Sequence, residues 1–240
     1  MKSLQQKPRQ KTLSGQKPLR VVIFAKAPIA GFAKTRLASV LGDEGAAVLA
    51  ARLLTRTVNE AISANIGSVE LCIVSDHHQF QWGLLNLPAD LIWSQQGEGD
   101  LGEKMSRAAQ RVLKQETGQD QSVLIIGTDC PMLDADILRL AAQKLSQADV
   151  CLGPVSDGGY ALLGMNQFDA SLFTDIPWST DQVAQLTRKK IAALNWTLQE
   201  LPIMNDIDEP EDLQWLPEGE VFARYEQSAV STNNEKVKIR

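Results

Sequence analysis

The sequence predicts an α/β fold with a mostly parallel central sheet. From residue 19 to residue 216, short apolar runs alternate with longer segments whose apolar residues recur at helical spacing. The runs are almost continuously apolar, which is typical of strands that are covered on both faces. A regular alternation of strands and helices places helices on both sides of one sheet.

The first half of the chain predicts three strands and two helices. The strands are expected over 19–25 (LRVVIFA), 68–75 (SVELCIVS) and 90–94 (DLIWS). Residues 43–64 and 101–115 carry apolar side chains at the spacing of amphipathic helices. A less regular helical segment precedes the third strand.

The second half continues the alternation. Asp134 is a suitable N-cap for the helix that follows the fourth strand. A glycine-rich turn joins the fifth strand to the sixth, and Pro210 lies in the first turn of a short final helix. The predicted strands are 122–127, 149–155, 160–165 and 196–201, and the predicted helices are 134–146, 181–194 and 209–216.

One domain is expected over residues 19–216, between two polar segments. Residues 1–18 predict a disordered basic extension, and residues 217–240 predict a flexible tail. No apolar run approaches the roughly 20 residues that span a bilayer. The N-terminus also lacks the apolar stretch of a secretory signal. We therefore expect no membrane span and a cytoplasmic location.

The charge distribution argues against nucleic acid as a partner. The net charge is −5, although residues 1–20 hold six basic residues and no acid, so the rest of the chain is more acidic still. Binding to nucleic acid requires clustered lysine and arginine residues. The three cysteines are too widely spaced for a disulfide framework or a zinc knuckle.

The loop after the first strand is the first candidate site, because ligands of open α/β sheets bind beyond the carboxyl ends of the strands. It places Lys26, Lys34 and Arg36 together, and Gly31 permits close approach of the backbone to a ligand. The spacing matches neither the P-loop nor the dinucleotide motif. A solvated basic loop is the alternative, but three cations in an acidic body favour phosphate binding.

A glycine-rich loop over residues 95–105 is the second candidate. Gly102 and Glu103 are positioned to present backbone amides and a carboxylate to a ligand at the start of a helix. A flexible connection without a binding role fits the same spacing equally well.

Carboxylates follow three of the later strands. Asp129 ends the run "SVLIIGTDCP", where Pro131 stops the strand because it has no N–H to donate. Asp157 lies in a glycine-rich turn, and Asp206 and Asp208 follow the last strand. Oxygen ligands of this kind suit Mg²⁺ or Mn²⁺ shared with substrate phosphates. The alternatives are a helix cap for Asp129, a hairpin turn for Asp157, and helix-dipole acids for the last pair.

Taken in order, five loop motifs resemble the nucleotide-diphospho-sugar transferase superfamily with the glycosyltransferase-A fold, and most closely its bacterial selenodomain-associated transferase branch. They are FAKAPIAGFAKTRL, GDLGEKM, IGTDCPML, GPVSDGGYALLGM and NDIDEPEDL. The resemblance implies a Rossmann-like domain that binds a nucleotide-sugar or a nucleoside triphosphate with a divalent metal. It implies metal ligation by Asp129 and by Asp206 or Asp208, and phosphate binding by Lys34 and Arg36.

One departure from the superfamily pattern bears on the reaction. Many glycosyltransferases of this fold carry an Asp-x-Asp pair, whereas this chain has Thr128-Asp129-Cys130-Pro131, with a single acid. That motif is similar to the "GD-x-P" of nucleotidyltransferases that make molybdenum-cofactor or F420 precursors. Their longer glycine-rich opening loop is only partly matched by AKAPIAGFAKTR.

The leading hypothesis from the sequence is an enzyme, a metal-dependent glycosyltransferase that uses a nucleotide-diphospho-sugar and an unidentified small-molecule acceptor. In this hypothesis Asp129 also serves catalysis through the metal, and Asp157 orients or deprotonates the acceptor. The alternative is a nucleotidyltransferase that uses a nucleoside triphosphate and releases pyrophosphate. A second alternative is a non-catalytic nucleotide-binding module.

Overall fold

The computed structural model describes residues 17–74, 80–114 and 121–217. The extension predicted for residues 1–18 and the tail predicted for 217–240 lie almost wholly outside these ranges, so both remain predictions. Within the described residues, no helix is both long and apolar enough to cross a membrane.

The described residues form one seven-stranded sheet with the strand order β3-β2-β1-β4-β6-β5-β7. Among them β6 runs antiparallel to both of its neighbours, and the other pairings are parallel. This confirms the predicted α/β class with a mostly parallel sheet. The strands are β1 (Leu19–Ala25), β2 (Ser68–Ile73), β3 (Ile92–Gln95), β4 (Ser122–Ile126), β5 (Val150–Pro154), β6 (Tyr160–Met165) and β7 (Leu198–Glu200).

Helices cover both faces of this sheet. On β1, Val21 belongs to the apolar cluster on one face, which includes Leu138, and Val22 belongs to the cluster on the other face, which includes Ile191. Alternate side chains of a strand point to opposite faces, so two separate apolar cores form. Helices α1 and α3 close the first core and α2 and α4 close the second. The helices are α1 (Ala38–Ala64), α2 (Leu101–Leu113), α3 (Ala135–Leu145) and α4 (Val183–Ala193).

The observed elements lie close to the predicted ones, with two informative differences. The helix predicted over 43–64 has an additional first turn, but Gly42 interrupts it with φ 70° and ψ 166°. The regular helix therefore begins where the apolar period begins. The short final helix is a 3-10 helix, Pro210–Trp215, instead of an α-helix.

One carboxylate lies inside the core under α2. The Glu70 side chain is fully buried and accepts hydrogen bonds from both terminal nitrogens of Arg111, from Arg20 at 3.4 Å and from Ser94 at 2.5 Å. Burial by itself would raise the pKa of Glu70, but the bonds from Arg111 and Ser94 and the charges of Arg111 and Arg20 lower it. Glu70 is therefore ionised and fully paired.

Candidate functional site

The loops predicted to bind ligand meet at the carboxyl edge of the sheet. Residues 26–34, 96–100, 127–134 and 201–209 follow strands that run in the same direction. The turn 155–159 joins them because β5 ends and β6 starts at this edge. Gln96 ties two of the strand ends together, since its side-chain amide donates to the carbonyls of Ala25 (3.3 Å) and Cys72 (3.0 Å).

The centre of the site is an ammonium held between two loops that are far apart in the sequence. Lys34 Nζ lies 2.7 Å from Asp129 Oδ1 and 2.7 Å from Asp208 Oδ1. It also donates to the carbonyl of Ile207 at 2.5 Å. The Lys34 side chain is 7% exposed, whereas those of Asp129 and Asp208 are 48% and 45% exposed. The Lys34 ammonium is therefore buried, whereas the two carboxylates that hold it are about half exposed to solvent.

The charge of Lys34 is stabilised where it lies. Burial alone would lower the pKa of Lys34, but the charges of Asp129 and Asp208 and their hydrogen bonds outweigh it and raise that pKa. Lys34 therefore remains an ammonium across the physiological range.

The backbone holds this arrangement in place. Lys34 adopts a left-handed conformation, φ 49° and ψ 43°, at the entrance to the 3-10 helix Thr35–Leu37. A non-glycine residue in this region is uncommon and is held there by its surroundings. Ile207 supplies the opposite wall, because its N–H donates to the carbonyl of Asp129 at 2.9 Å and its side chain is buried against the start of α1.

Acidic groups outnumber the ammonium here. Burial, followed by the charges of Asp157, Asp208 and Asp129, raises the pKa of Asp206 to about 6. The structure therefore brings Asp129, Asp157, Asp206 and Asp208 into one neighbourhood, as the strand-end rule predicts. A bound cation would relieve the repulsion among them.

Asp157 lies at the tip of the turn between β5 and β6. Its Oδ1 accepts from the N–H of Gly159 at 2.7 Å, and the Val155 N–H closes the turn on the Gly159 carbonyl at 3.2 Å. Val155 also pairs with Met204 in the last loop. The hairpin-turn interpretation of this segment is therefore correct, and the exposed carboxylate of Asp157 is close enough to Asp206 to raise the pKa of that residue.

Gly158 is required for this turn, so Gly158→Ala is expected to destabilise the protein by about 2 kcal/mol or more. Gly158 has φ +90°, and an added Cβ would lie 2.1 Å from the carbonyl oxygen of Asp181. For a chain of this size the loss corresponds to a fall in Tm of roughly 4–8 °C in differential scanning fluorimetry. Gly83→Ala is the matched control, because nothing lies within 4 Å of a Cβ there. Equal Tm values for the two variants would contradict this description of the turn.

The remaining cations of the first loop are open to solvent. Lys26 is exposed, and Arg36, 69% exposed, lies 3.3 Å from Glu209 Oε1. Gly31 adopts φ +78°, and a Cβ there would meet only Asp43, at 3.9 Å. Their predicted contacts with phosphate remain predictions, and Lys34 differs from them because it is buried between two carboxylates.

The structure gives Gly102 and Glu103 structural positions at the start of α2. Glu103 forms a capping box with Asp100: its carboxylate accepts from the Asp100 N–H at 2.9 Å, and the Asp100 carboxylate accepts from the Glu103 N–H at 2.8 Å. A Cβ on Gly102 would lie 2.5 Å from Trp178 Nε1 and 2.6 Å from the carbonyl of Phe173. Their predicted contacts with a nucleotide remain untested by this geometry.

Arg107 organises the glycine-rich loop and was not predicted from the sequence. Its guanidinium donates to the carbonyl of Gln96 at 3.0 and 3.1 Å and also to that of Glu98. A Cβ on Gly97 would lie 3.0 Å from Arg107 Nε, and Gly97 has φ +74°. Arg107 lies in the second turn of α2, and the carbonyls that it contacts belong to residues 11 and 9 positions earlier in the sequence. No local sequence pattern links residues at those spacings, so its contacts with the loop could not be predicted.

The donors at the carboxyl edge have the chemistry that Mg²⁺ or Mn²⁺ requires. Asp129, Asp206 and Asp208 supply partly exposed carboxylate oxygens, which these hard cations prefer. Across residues 17–74, 80–114 and 121–217, however, no three His, Cys, Asp or Glu side chains are already arranged to hold a metal ion. Two of the candidate carboxylates instead hold Lys34.

Cys130 does not add a ligand to this set. The thiol is buried, and burial is the main cause that raises the pKa of Cys130 to about 11. A protonated, inward-facing thiol cannot replace the second acid of an Asp-x-Asp pair.

Comparison with known proteins places the chain in a family. Residues 57–180, just over half of the chain, match the family described as "Uncharacterized protein conserved in bacteria (DUF2064)", and the chain belongs to that family. The match includes Asp129 and Asp157 and ends before Asp206. No curated protein matches the sequence significantly.

Solved structures share the fold. A "putative nucleotide-diphospho-sugar transferase" from Desulfovibrio desulfuricans G20 has a TM-score of 0.72 and 28% sequence identity, over 82% of this chain and 85% of that one. This similarity confirms the superfamily resemblance predicted from the loop motifs.

Two more distant structures share the fold alone. A 4-diphosphocytidyl-2C-methyl-D-erythritol synthase from Anaerococcus prevotii DSM 20548 has a TM-score of 0.52 and 12% identity, over 83% of this chain and 96% of that one. A nucleotidyl transferase from Methanothermobacter thermautotrophicus has a TM-score of 0.51 and 14% identity, over 88% of this chain and 99% of that one.

Proposed function

We propose that this protein is a metal-dependent transferase that moves a glycosyl group from a nucleotide-diphospho-sugar to a small-molecule acceptor. The observation that carries the proposal is the Lys34 ammonium set between Asp129 and Asp208 at the carboxyl edge, 2.7 Å from each. A buried cation beside half-exposed carboxylates suits a ligand that carries both phosphate and metal. The 28% identity to a protein described as a nucleotide-diphospho-sugar transferase favours glycosyl over nucleotidyl transfer.

In the proposed reaction, the bond between the anomeric carbon and the phosphate oxygen breaks, and a bond from that carbon to an acceptor hydroxyl oxygen forms. Lys34 and Arg36 neutralise charge that develops on the departing nucleoside diphosphate, which is usually the largest catalytic contribution in such sites. When bound by Asp129 and by Asp206 or Asp208, a divalent metal would supply Lewis-acid stabilisation of the same diphosphate.

Asp157 is the proposed general base for the acceptor. It is exposed, lies close enough to Asp206 to raise that pKa, and is oriented by the Gly159 N–H. The proton of the acceptor hydroxyl would pass to its carboxylate as the new bond forms. Lys26, Gly31 and the start of α2 at Gly102 and Glu103 would border the nucleotide.

Nucleotidyl transfer is the second candidate, and Cys130 is the observation that favours it. Because the thiol is buried and protonated, the motif Thr128–Pro131 offers one acid where the Asp-x-Asp pair of many glycosyltransferases of the fold offers two. In that reaction the same cations would face a triphosphate, and pyrophosphate would leave.

A thermal-shift screen separates these candidates. We expect nucleotide-sugars with Mn²⁺ to raise Tm by roughly 5–10 °C at about 100 times Kd, since such saturation adds about 2.7 kcal/mol. The same nucleotide with chelator is the control and should give a smaller shift. If nucleoside triphosphates raise Tm and nucleotide-sugars do not, nucleotidyl transfer is favoured. If no nucleotide raises Tm, the proposal is contradicted. Tight binding without turnover of any donor would favour a non-catalytic module.

A further inference from the structure

We infer that Lys34 is an internal counter-cation that holds the metal-ligand oxygens while no metal is bound, and that metal binding displaces it. The inference rests on the proposed metal dependence and extends it. It predicts that metal and nucleotide bind cooperatively, because the displaced ammonium gains a phosphate partner only when nucleotide is present.

The contacts of Lys34 carry the inference. Its ammonium has three N–H donors and three close acceptors: Asp129 Oδ1 and Asp208 Oδ1 at 2.7 Å each, and the Ile207 carbonyl at 2.5 Å. All three acceptors are oxygens of the kind that Mg²⁺ and Mn²⁺ prefer. A lysine saturated in this way has no donor left for a phosphate, which conflicts with a purely phosphate-binding role.

Coexistence of the two cations on the same oxygens is unfavourable. A divalent ion on the carboxylates of Asp129 and Asp208 would repel an ammonium that touches both, in a partly buried site where charges interact strongly. The occupied carboxylates also account for the absence, among the described residues, of three side chains already arranged around a metal position.

Displacement is physically accessible. Asp129 and Asp208 are about half exposed, so a metal ion can approach them from solvent. The lysine side chain is a flexible chain of four carbons, so its ammonium can move while the backbone stays fixed. Lys26 and Arg36 are exposed on either side of Lys34 in the sequence, and phosphates bound by them would accept hydrogen bonds from the displaced ammonium.

Direct metal titration tests the exchange. Binding of Mn²⁺ alone, measured by electron paramagnetic resonance of the free ion, is compared for wild type, Lys34→Gln and the control Lys144→Gln. Lys144 lies in the last turn of α3, away from the β4 loop, with Nζ 3.5 Å from Gln199 Oε1. We expect Lys34→Gln to bind Mn²⁺ at least about tenfold more tightly than wild type, and Lys144→Gln to match wild type. Equal or weaker binding by Lys34→Gln would overturn the inference.

A labelling experiment tests the same exchange on the wild-type protein, so its result does not depend on whether a variant folds. Lys34 should be protected from amine acetylation without metal and become reactive when Mn²⁺ is added, whereas labelling of Lys144 should stay constant. Peptide mass spectrometry reads both sites. Unchanged protection of Lys34 at saturating Mn²⁺ would show that the ammonium does not leave.

The outcomes distinguish this inference from the proposed function. If wild type and Lys34→Gln bind Mn²⁺ equally and nucleotide binding still requires metal, the exchange is wrong and the transferase proposal stands. If neither protein binds Mn²⁺ even with nucleotide present, the metal dependence and the exchange both fail.

Discussion

Asp129→Asn is expected to lower the rate of transfer by at least about 100-fold, the usual cost of removing one electrostatic group that stabilises a transition state. The variant keeps the shape of the side chain but removes the negative charge that pairs with Lys34 and that would bind the proposed metal. Tm should fall by only about 2–4 °C, because the Asp129 side chain is 48% exposed and Lys34 keeps Asp208 and the Ile207 carbonyl as partners. Release of nucleoside diphosphate measures the rate, and scanning fluorimetry measures Tm.

Asp136→Asn is the matched control for this substitution. Asp136 is 88% exposed in the first turn of α3, where it pairs with Arg139 on the surface. We expect its rate and its Tm to equal those of wild type. A wild-type rate for Asp129→Asn at low metal concentration would show that the metal role assigned to Asp129 is wrong.

Glu70→Gln is expected to reduce the free energy of unfolding by about 3 kcal/mol, near the lower end of the range for breaking a buried ion pair. The substitution leaves the guanidinium groups of Arg20 and Arg111 without a counter-charge. The cost stays near the lower end because Arg111 is 38% exposed and can be hydrated in part. Urea denaturation should show the loss as a lower midpoint with an unchanged slope.

Glu200→Gln is the control, since Glu200 forms a surface pair with Arg188 at 2.6 Å and both side chains are more than one third exposed. Surface pairs contribute about 0–1 kcal/mol, so its midpoint should change little. Similar losses for the two variants would contradict the importance of burial at Glu70.

The Glu70 cluster also predicts a pH dependence of stability. The pKa of Glu70 is lower in the folded protein than in the unfolded chain, so its contribution is present in full above the ordinary glutamate pKa of about 4.3. The contribution is lost as pH falls from there through the folded pKa. As pH falls from about 4.3 through the folded pKa, wild type and Glu70→Gln should therefore converge in stability, whereas at pH 7 they should differ by the full amount.

Local patterns predicted most of the fold because they follow from burial. The run Leu19–Ala25 and the run Tyr160–Met165 are strands at the predicted bounds, since apolar strands covered by helices differ clearly from polar connections. The position of β6 between β4 and β5 was not predictable from these patterns. Strand order depends on pairing between segments distant in sequence, and apolar runs of similar composition do not encode it.

The sequence predicted where the candidate site residues lie in the fold, but it did not predict which of them contact one another. Asp129, Asp206 and Asp208 were expected at the carboxyl edge because each follows a strand, and they lie there. The contacts of Lys34 with Asp129 and Asp208 join residues up to 174 positions apart, so they depend on the folded chain. The left-handed backbone of Lys34 was equally hidden, because lysine gives no sequence signal for positive φ.

The reaction itself is tested most directly by ³¹P nuclear magnetic resonance of the wild-type protein with diamagnetic Mg²⁺, a nucleotide-sugar that raises its Tm, and a mixture of candidate acceptors. Glycosyl transfer predicts loss of the diphosphodiester signals and growth of the two coupled resonances of a nucleoside diphosphate, with no pyrophosphate from the matching triphosphate. A pyrophosphate singlet from the triphosphate, with the nucleotide-sugar intact, would contradict the proposed reaction, and no change in either spectrum would contradict transferase activity.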